Sequence, residues 1–71
     1  MSQEPSVIRM ANDIARNQAH LSQPDAAALI ANHIRSFWDP RMRSELARLV
    51  AADPSAVSPA VVEALLDLAA K

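Results

Sequence analysis

Three side chains near the middle of this 71-residue chain could do acid–base or metal chemistry: His33, Asp39 and Glu45. His33 is a candidate general base or metal ligand because imidazole titrates near neutral pH and coordinates metals. A metal site needs three or four ligands, however, and no second His, Cys or paired carboxylate stands at ligand spacing. Asp39 and Glu45 are explained by helix capping and by the neighbouring Arg41 and Arg48. We therefore interpret His33 as a structural core or interface residue, and predict no catalytic, metal-binding or cofactor-binding residue.

These residues lie in or beside the stretch from His33 to Arg43, HIRSFWDPRMR, which holds both aromatic residues and the sharpest helix break. Asp39 can cap a following helix with its carboxylate, and Pro40 suits the first helical position because no N–H is needed there. Proline also disfavours α geometry in the residue before it, so the preceding helix should end near Trp38. We call His33–Arg43 the corner, and expect Asp39 and Pro40 to form its structural turn.

Basic side chains outnumber acidic ones around the corner, where Arg35, Arg41, Arg43 and Arg48 stand against Asp39 and Glu45. This excess is too small, and one indole too few, for a nucleic-acid surface. Trp and Arg are, however, enriched where protein–protein binding energy is concentrated. Two interpretations of Trp38 stay open: it packs on the protein's own helix ends, or it docks onto a partner.

Apolar periodicity and helix start signals predict an all-α fold, a small bundle of three to four short helices in one helical domain over residues 1–71. Ser22-Gln23-Pro24-Asp25 and Ser58-Pro59 repeat the capping signal of the corner. Gln18 falls inside the apolar arc of the first helix, which favours fraying before it. The predicted helices cover about residues 5–20, 23–38, 40–52 and 59–70.

One face of each helix is expected to be buried. The apolar arc of the last helix covers more than half of its circumference, so we expect Val62 and Leu66 to touch another chain. In the second helix, His33 should lie near the centre of the buried face. The other expected core residues of the first three helices are Val7, Ile8, Met10, Ala11, Ile14, Ala15, Ala26, Leu29, Ile30, Ile34, Phe37, Met42, Leu46, Leu49 and Val50.

Composition excludes several classes of function. The net charge of −1 provides no electrostatic footprint for nucleic acid or an anionic membrane. The chain has no Gly and no Cys, so phosphate-binding glycine loops and thiolate metal sites are ruled out. It has neither a signal-peptide pattern nor a long apolar run, which predicts a cytoplasmic protein. Its modest core predicts a partner or self-association.

Two motifs resemble a known family. The segment Val7–Asn12, VIRMAN, is followed by the corner, HIRSFWDPRMR, at about the distance seen in the delta subunit of NAD-dependent formate dehydrogenase. In that family an I/V-R-M-A-N segment precedes an H-I-R-x-F-W-D-P-R-M-R segment, and a short apolar helix ends the chain. The resemblance covers most of the chain, from about Val7 to Leu68.

The resemblance implies a non-catalytic accessory subunit that supports assembly and stability of the enzyme complex, and insertion of its metal-pterin cofactor. Its partners would be an alpha (catalytic) subunit with a molybdenum or tungsten pterin and iron–sulfur clusters, and beta and gamma subunits with FMN and NAD. A free-standing homodimer acting as a scaffold or regulatory module is the alternative. The predicted partner-binding residues are Arg9, His33, Arg35, Trp38, Arg41, Arg43, Val62 and Leu66.

Overall fold

The computed structural model describes residues 5–70, which form an all-α fold with no strand. The predicted fold class is therefore confirmed. The first helix ends three residues before His20, just ahead of Gln18, and three turn residues follow it. The helices are α1 (Ser6–Asn17), α2 (Gln23–Phe37), α3 (Pro40–Ala52) and α4 (Pro59–Ala69), with one 3-10 turn (Pro54–Ala56) between α3 and α4.

Two helix starts are held by side-chain caps. The Asp39 carboxylate accepts a hydrogen bond from the Met42 N–H at 2.8 Å, and the Ser22 hydroxyl accepts one from the Asp25 N–H at 3.4 Å. These bonds satisfy N–H groups that have no partner inside the helix. Ser58 precedes α4 in the same way, but its hydroxyl makes no capping bond.

Helix α2 is central, because α4 packs along it most extensively and α1 also contacts it. Its buried side consists of three alanines with Ile30 and Ile34, both 0% exposed. Leu46 of α3 and Val61 of α4 complete the group of large, fully buried side chains. Alanines let neighbouring helices approach closely, so the core is compact although few of its members are large.

Four side chains expected in the core are instead exposed. Leu29 is 47% exposed, Phe37 75% and Met10 38%, and His33 is also exposed. The reason in α2 is that its neighbours pack over the side formed by the alanines and isoleucines. Leu29, His33 and Phe37 follow one another at four-residue steps along the edge of that side. The apolar residues of α2 therefore cover a wider arc than the arc that is buried.

None of the helices within residues 5–70 combines the length and the apolar character needed to cross a lipid bilayer.

Candidate functional site

The corner is a tight junction between α2 and α3. Trp38 ends α2, and its N–H donates to the carbonyl of Ile34 at 2.9 Å. Trp38 and Asp39 both have extended backbones, with φ and ψ of −98° and 140° for Trp38 and −78° and 165° for Asp39. Extended geometry at Asp39 is what the following proline requires. The chain therefore passes from α2 into α3 through two extended residues.

Trp38 belongs to the core. Only 6% of its surface is exposed, and it joins the main cluster of buried apolar residues. Of the two interpretations that the sequence left open, the structure supports packing on the protein's own helices. At this exposure the indole leaves little surface for contact with a partner.

The exposed aromatic residue of the corner is Phe37. Its ring lies 4.8 Å from the ring of His33, centroid to centroid, at an interplanar angle of 39°. Leu29 lies one further turn towards the N-terminus. We call Leu29, His33 and Phe37 the α2 stripe. Sequence reasoning placed these three residues inside the fold; Ala27 and Ala31, which mark where neighbouring helices approach, were the signal that could have placed them outside.

The arginines of the corner do not converge on one face. Arg35 stands two residues before Phe37, about 200° around the helix, so it projects from another side of α2. Arg41 is exposed in the first turn of α3, and Arg43 is half-buried one residue after Met42. Arg41 and Arg43 are likewise two residues apart on α3, so their side chains project from different sides of that helix.

These arginines have no carboxylate partner within the described part of the chain. Between residues 5 and 70, the one ion pair joins Arg16 to Asp13 at 2.9 Å on the exposed side of α1. Arg9 is exposed on α1 and also makes no ion pair there. Guanidinium groups that have no ion-pair partner among the described residues can bind carboxylates of another protein.

The carboxylates and the imidazole of the corner do not form a metal-binding cluster among the described residues. No group of three or more His, Cys, Asp or Glu side chains within residues 5–70 is placed to hold a metal ion. His33 faces Phe37, and the Asp39 carboxylate is engaged in capping α3.

Asn12 has a structural role that motif reasoning did not reveal. Its side-chain amide donates to the carbonyl of Ala56 at 3.0 Å, and its side-chain oxygen accepts from the Ser58 N–H at 3.1 Å. The two bonds tie α1 to the segment between α3 and α4, more than forty residues away along the chain. Asn12 belongs to the VIRMAN motif, which thus positions α4 relative to α1.

Val62 and Leu66 lie on the side of α4 that faces away from α2. Val62 is half-buried, and Leu66 is 66% exposed beside an apolar groove between α3 and α4.

A family model describes chains of this kind. The model for FdsD, the NADH-dependent formate dehydrogenase delta subunit, matches residues 6–65. The chain belongs to the FdsD family. The match includes both VIRMAN and the corner, so the resemblance drawn from these motifs is confirmed. Comparison with individual curated proteins and with solved structures finds no match. As an FdsD family member, the chain is associated by its family with an NAD-dependent formate dehydrogenase complex.

Proposed function

We propose that this FdsD family member is a non-catalytic accessory subunit that docks onto the alpha (catalytic) subunit of a cytoplasmic formate dehydrogenase. Membership of a delta-subunit family supports the choice of complex. The observation that carries the docking surface is the exposed α2 stripe, in which Phe37 leaves 75% of its surface uncovered. Phe37 and Arg41, which has no ion-pair partner within residues 5–70, are of the residue types that are enriched in protein-binding hot spots.

The proposed anchor is Phe37, with His33 and Leu29 extending the contact along α2. Trp38 holds the C-terminal end of α2 in the core and so fixes the direction in which Phe37 projects. Arg41, four residues after Phe37, supplies charge for carboxylates of the partner. Arg9 and Arg35 project from other sides, so they contribute only if the partner wraps around the bundle.

The proposed role is assembly. Docking would stabilise the catalytic subunit and support insertion of its molybdenum or tungsten pterin, while the iron–sulfur clusters, FMN and NAD are held by the alpha, beta and gamma subunits. The family name and the absence of a metal-ligand group within residues 5–70 support this division of labour. The cofactor chemistry belongs to the partners, and this chain contributes surface.

The test is co-purification of the tagged full chain with the alpha, beta and gamma subunits expressed together. Phe37→Ala should weaken binding about tenfold or more, because a buried aromatic anchor commonly contributes that much. Helix content should not change, since the ring is mostly exposed. Asn32→Ala, on another side of the same helix, is the matched control. Capture of the complex by Phe37→Ala at the wild-type level would contradict the docking surface.

The assembly role has its own readout. The catalytic subunit should be purified from cells with and without this chain, and its molybdenum or tungsten content measured per polypeptide. We expect lower metal content without the chain and recovery when it is supplied. Equal metal content in both preparations would limit the role to docking.

A further inference from the structure

Two apolar concavities meet beside α4, and neither is lined by a residue of the α2 stripe. A groove of about 330 Å³ runs between α3 and α4, and a second hollow of about 660 Å³ lies between the start of α4 and the 3-10 turn. Both are lined by Pro54, Val62 and Leu66, so they form one continuous surface. We call this surface the α3–α4 face. The side chain of Leu66 is 66% exposed and lies between the two hollows, both of which it lines.

The groove exists because α4 rests on α2 and approaches α3 only weakly. Its walls are mainly small: Ala47, Val50 and Ala51 on the α3 side, and Leu65 and Ala69 on the α4 side. Small walls leave room for a large apolar side chain. The chain itself offers such a side chain in Leu66, but Leu66 projects from the rim and cannot fill its own groove.

Charge divides the α3–α4 face into a basic and an acidic end. Arg43 precedes Ala47 by four residues and so lies on the same side of α3, one turn beyond the residues that line the groove, at the end away from Pro54. Glu63 lines the hollow at the opposite end, where the Gln23 amide donates to its carboxylate at 2.9 Å. Arg43 has no ion-pair partner within residues 5–70. One end of the face can therefore attract the other end of an identical face.

We propose that the α3–α4 face binds a second copy of this chain, in an antiparallel, two-fold symmetric dimer. In this arrangement each Leu66 enters a hollow of the opposite copy. Each Arg43 then lies across from the Glu63 of the opposite copy. A two-fold interface requires a patch that is complementary to itself. The α3–α4 face meets this requirement because Leu66 projects between two hollows and the opposite charges of Arg43 and Glu63 lie at the two ends.

The charges at the two ends of the α3–α4 face also argue against a partner helix whose charged residues are all acidic or all basic. An acidic amphipathic helix would be attracted at the Arg43 end and repelled at the Glu63 end, and a basic helix would meet the reverse. A partner that matches both ends carries an acidic group opposite Arg43 and a basic group opposite Glu63. A second copy of the same face, rotated by 180°, carries both groups in these positions.

Sedimentation equilibrium of the isolated full chain over a wide concentration range tests the proposal. The wild-type chain should form a reversible dimer. Leu66→Asp should weaken dimerisation about a hundredfold or more, because two apolar contacts are lost and two carboxylates are brought to the centre. Leu29→Asp is the matched control: it makes the same change at an exposed leucine of the α2 stripe, and should leave the dimer intact. Circular dichroism checks that both variants are folded.

A charge exchange tests the antiparallel arrangement. Arg43→Glu and Glu63→Arg should each weaken the dimer several-fold by placing like charges opposite each other, and the double variant should recover most of the loss. A wild-type chain that stays monomeric at the highest concentration would overturn the proposal. So would a dimer that survives Leu66→Asp, or one that is lost in Leu29→Asp. Failure of the double variant to recover would overturn the antiparallel register.

The proposed dimer and the proposed docking surface can be tested independently of each other. The dimer is measured on the chain alone and depends on Leu66, whereas co-purification with the formate dehydrogenase subunits depends on Phe37 and Leu29. Loss of one interaction in a variant that keeps the other identifies which surface was assigned wrongly.

Discussion

Replacing Asn12 by alanine should greatly lower the free energy of unfolding although it changes the side-chain volume little. Asn12→Ala removes two hydrogen bonds, to the Ala56 carbonyl and from the Ser58 N–H, each worth about 0.5–1.5 kcal/mol net. Both backbone groups are part-buried, and neither has another partner within the described residues, so a further desolvation cost of about 1 kcal/mol follows.

Alanine also favours the helix by up to about 0.7 kcal/mol, which offsets part of the loss. The expected net destabilisation is about 2–3 kcal/mol, which is large against the roughly 4–10 kcal/mol typical of a chain of this length.

Urea unfolding is the assay, followed by the fluorescence of Trp38 and by far-ultraviolet circular dichroism. Trp38 is the single tryptophan and is buried, so its emission reports the loss of the core. Asn32→Ala is the matched control, because Asn32 is exposed in the middle of α2. This control keeps the gain in helix propensity and removes no bond between helices, so it should be neutral or slightly stabilising.

The aspartate variant refines the test. Asn12→Asp keeps the oxygen that accepts from the Ser58 N–H but places a second oxygen against the Ala56 carbonyl, which can only accept. It should therefore be no more stable than Asn12→Ala. If Asn12→Ala and Asn32→Ala unfold within about 0.5 kcal/mol of each other, the Asn12 bonds do not hold α1 to the α3–α4 connection, and the reasoning is wrong.

Three further predictions concern the corner and the start of α4. Asp39→Ala should destabilise the fold by about 1 kcal/mol in urea unfolding because it removes the bond that caps α3. Ser58→Ala should lie within about 0.5 kcal/mol of wild type, since its buried hydroxyl has no hydrogen-bond partner among residues 5–70. Equal losses of stability in the two variants would show that Asp39 stabilises the start of α3 no more than Ser58 stabilises the start of α4. Trp38→Ala should destabilise the fold by about 3–5 kcal/mol in urea unfolding, the largest loss among these variants, because it removes a buried indole from the core. Phe37→Ala should keep a melting temperature close to that of wild type; a fall as large as that of Trp38→Ala would mean that the Phe37 ring is packed in solution.

Local signals were sufficient for the architecture of this protein. Proline at a first helical position and a capping residue before it act within one turn of chain, so α2, α3 and α4 begin at Gln23, Pro40 and Pro59, at or beside the predicted starts. Gln18 interrupts the apolar arc of α1, and the helix ends just before it. These features depend on neighbours in sequence and need no knowledge of the fold.

The identity of the family was also contained in the sequence. VIRMAN and HIRSFWDPRMR are long enough, and rich enough in rare residue types, to be recognised without coordinates, and the family match over residues 6–65 bears this out. The physical role of a motif residue was not contained there. Asn12 bonds to residues more than forty positions away, and only the folded chain brings them together.

Which apolar residues face solvent was decided by tertiary structure alone. Periodicity places Leu29, His33 and Phe37 near the buried side of α2, but it does not tell how much of a wide apolar arc the neighbouring helices cover. That extent depends on where the alanines of α2 allow the neighbouring helices to pack closely. As a result, Phe37 is exposed to solvent, whereas the next residue, Trp38, is buried in the core. The sequence by itself determined the family, the helices and the starts of α2, α3 and α4, although the first helix ends at Asn17 and not near the predicted His20. The packing of α4 on α2 decided which surfaces remain free to bind another chain.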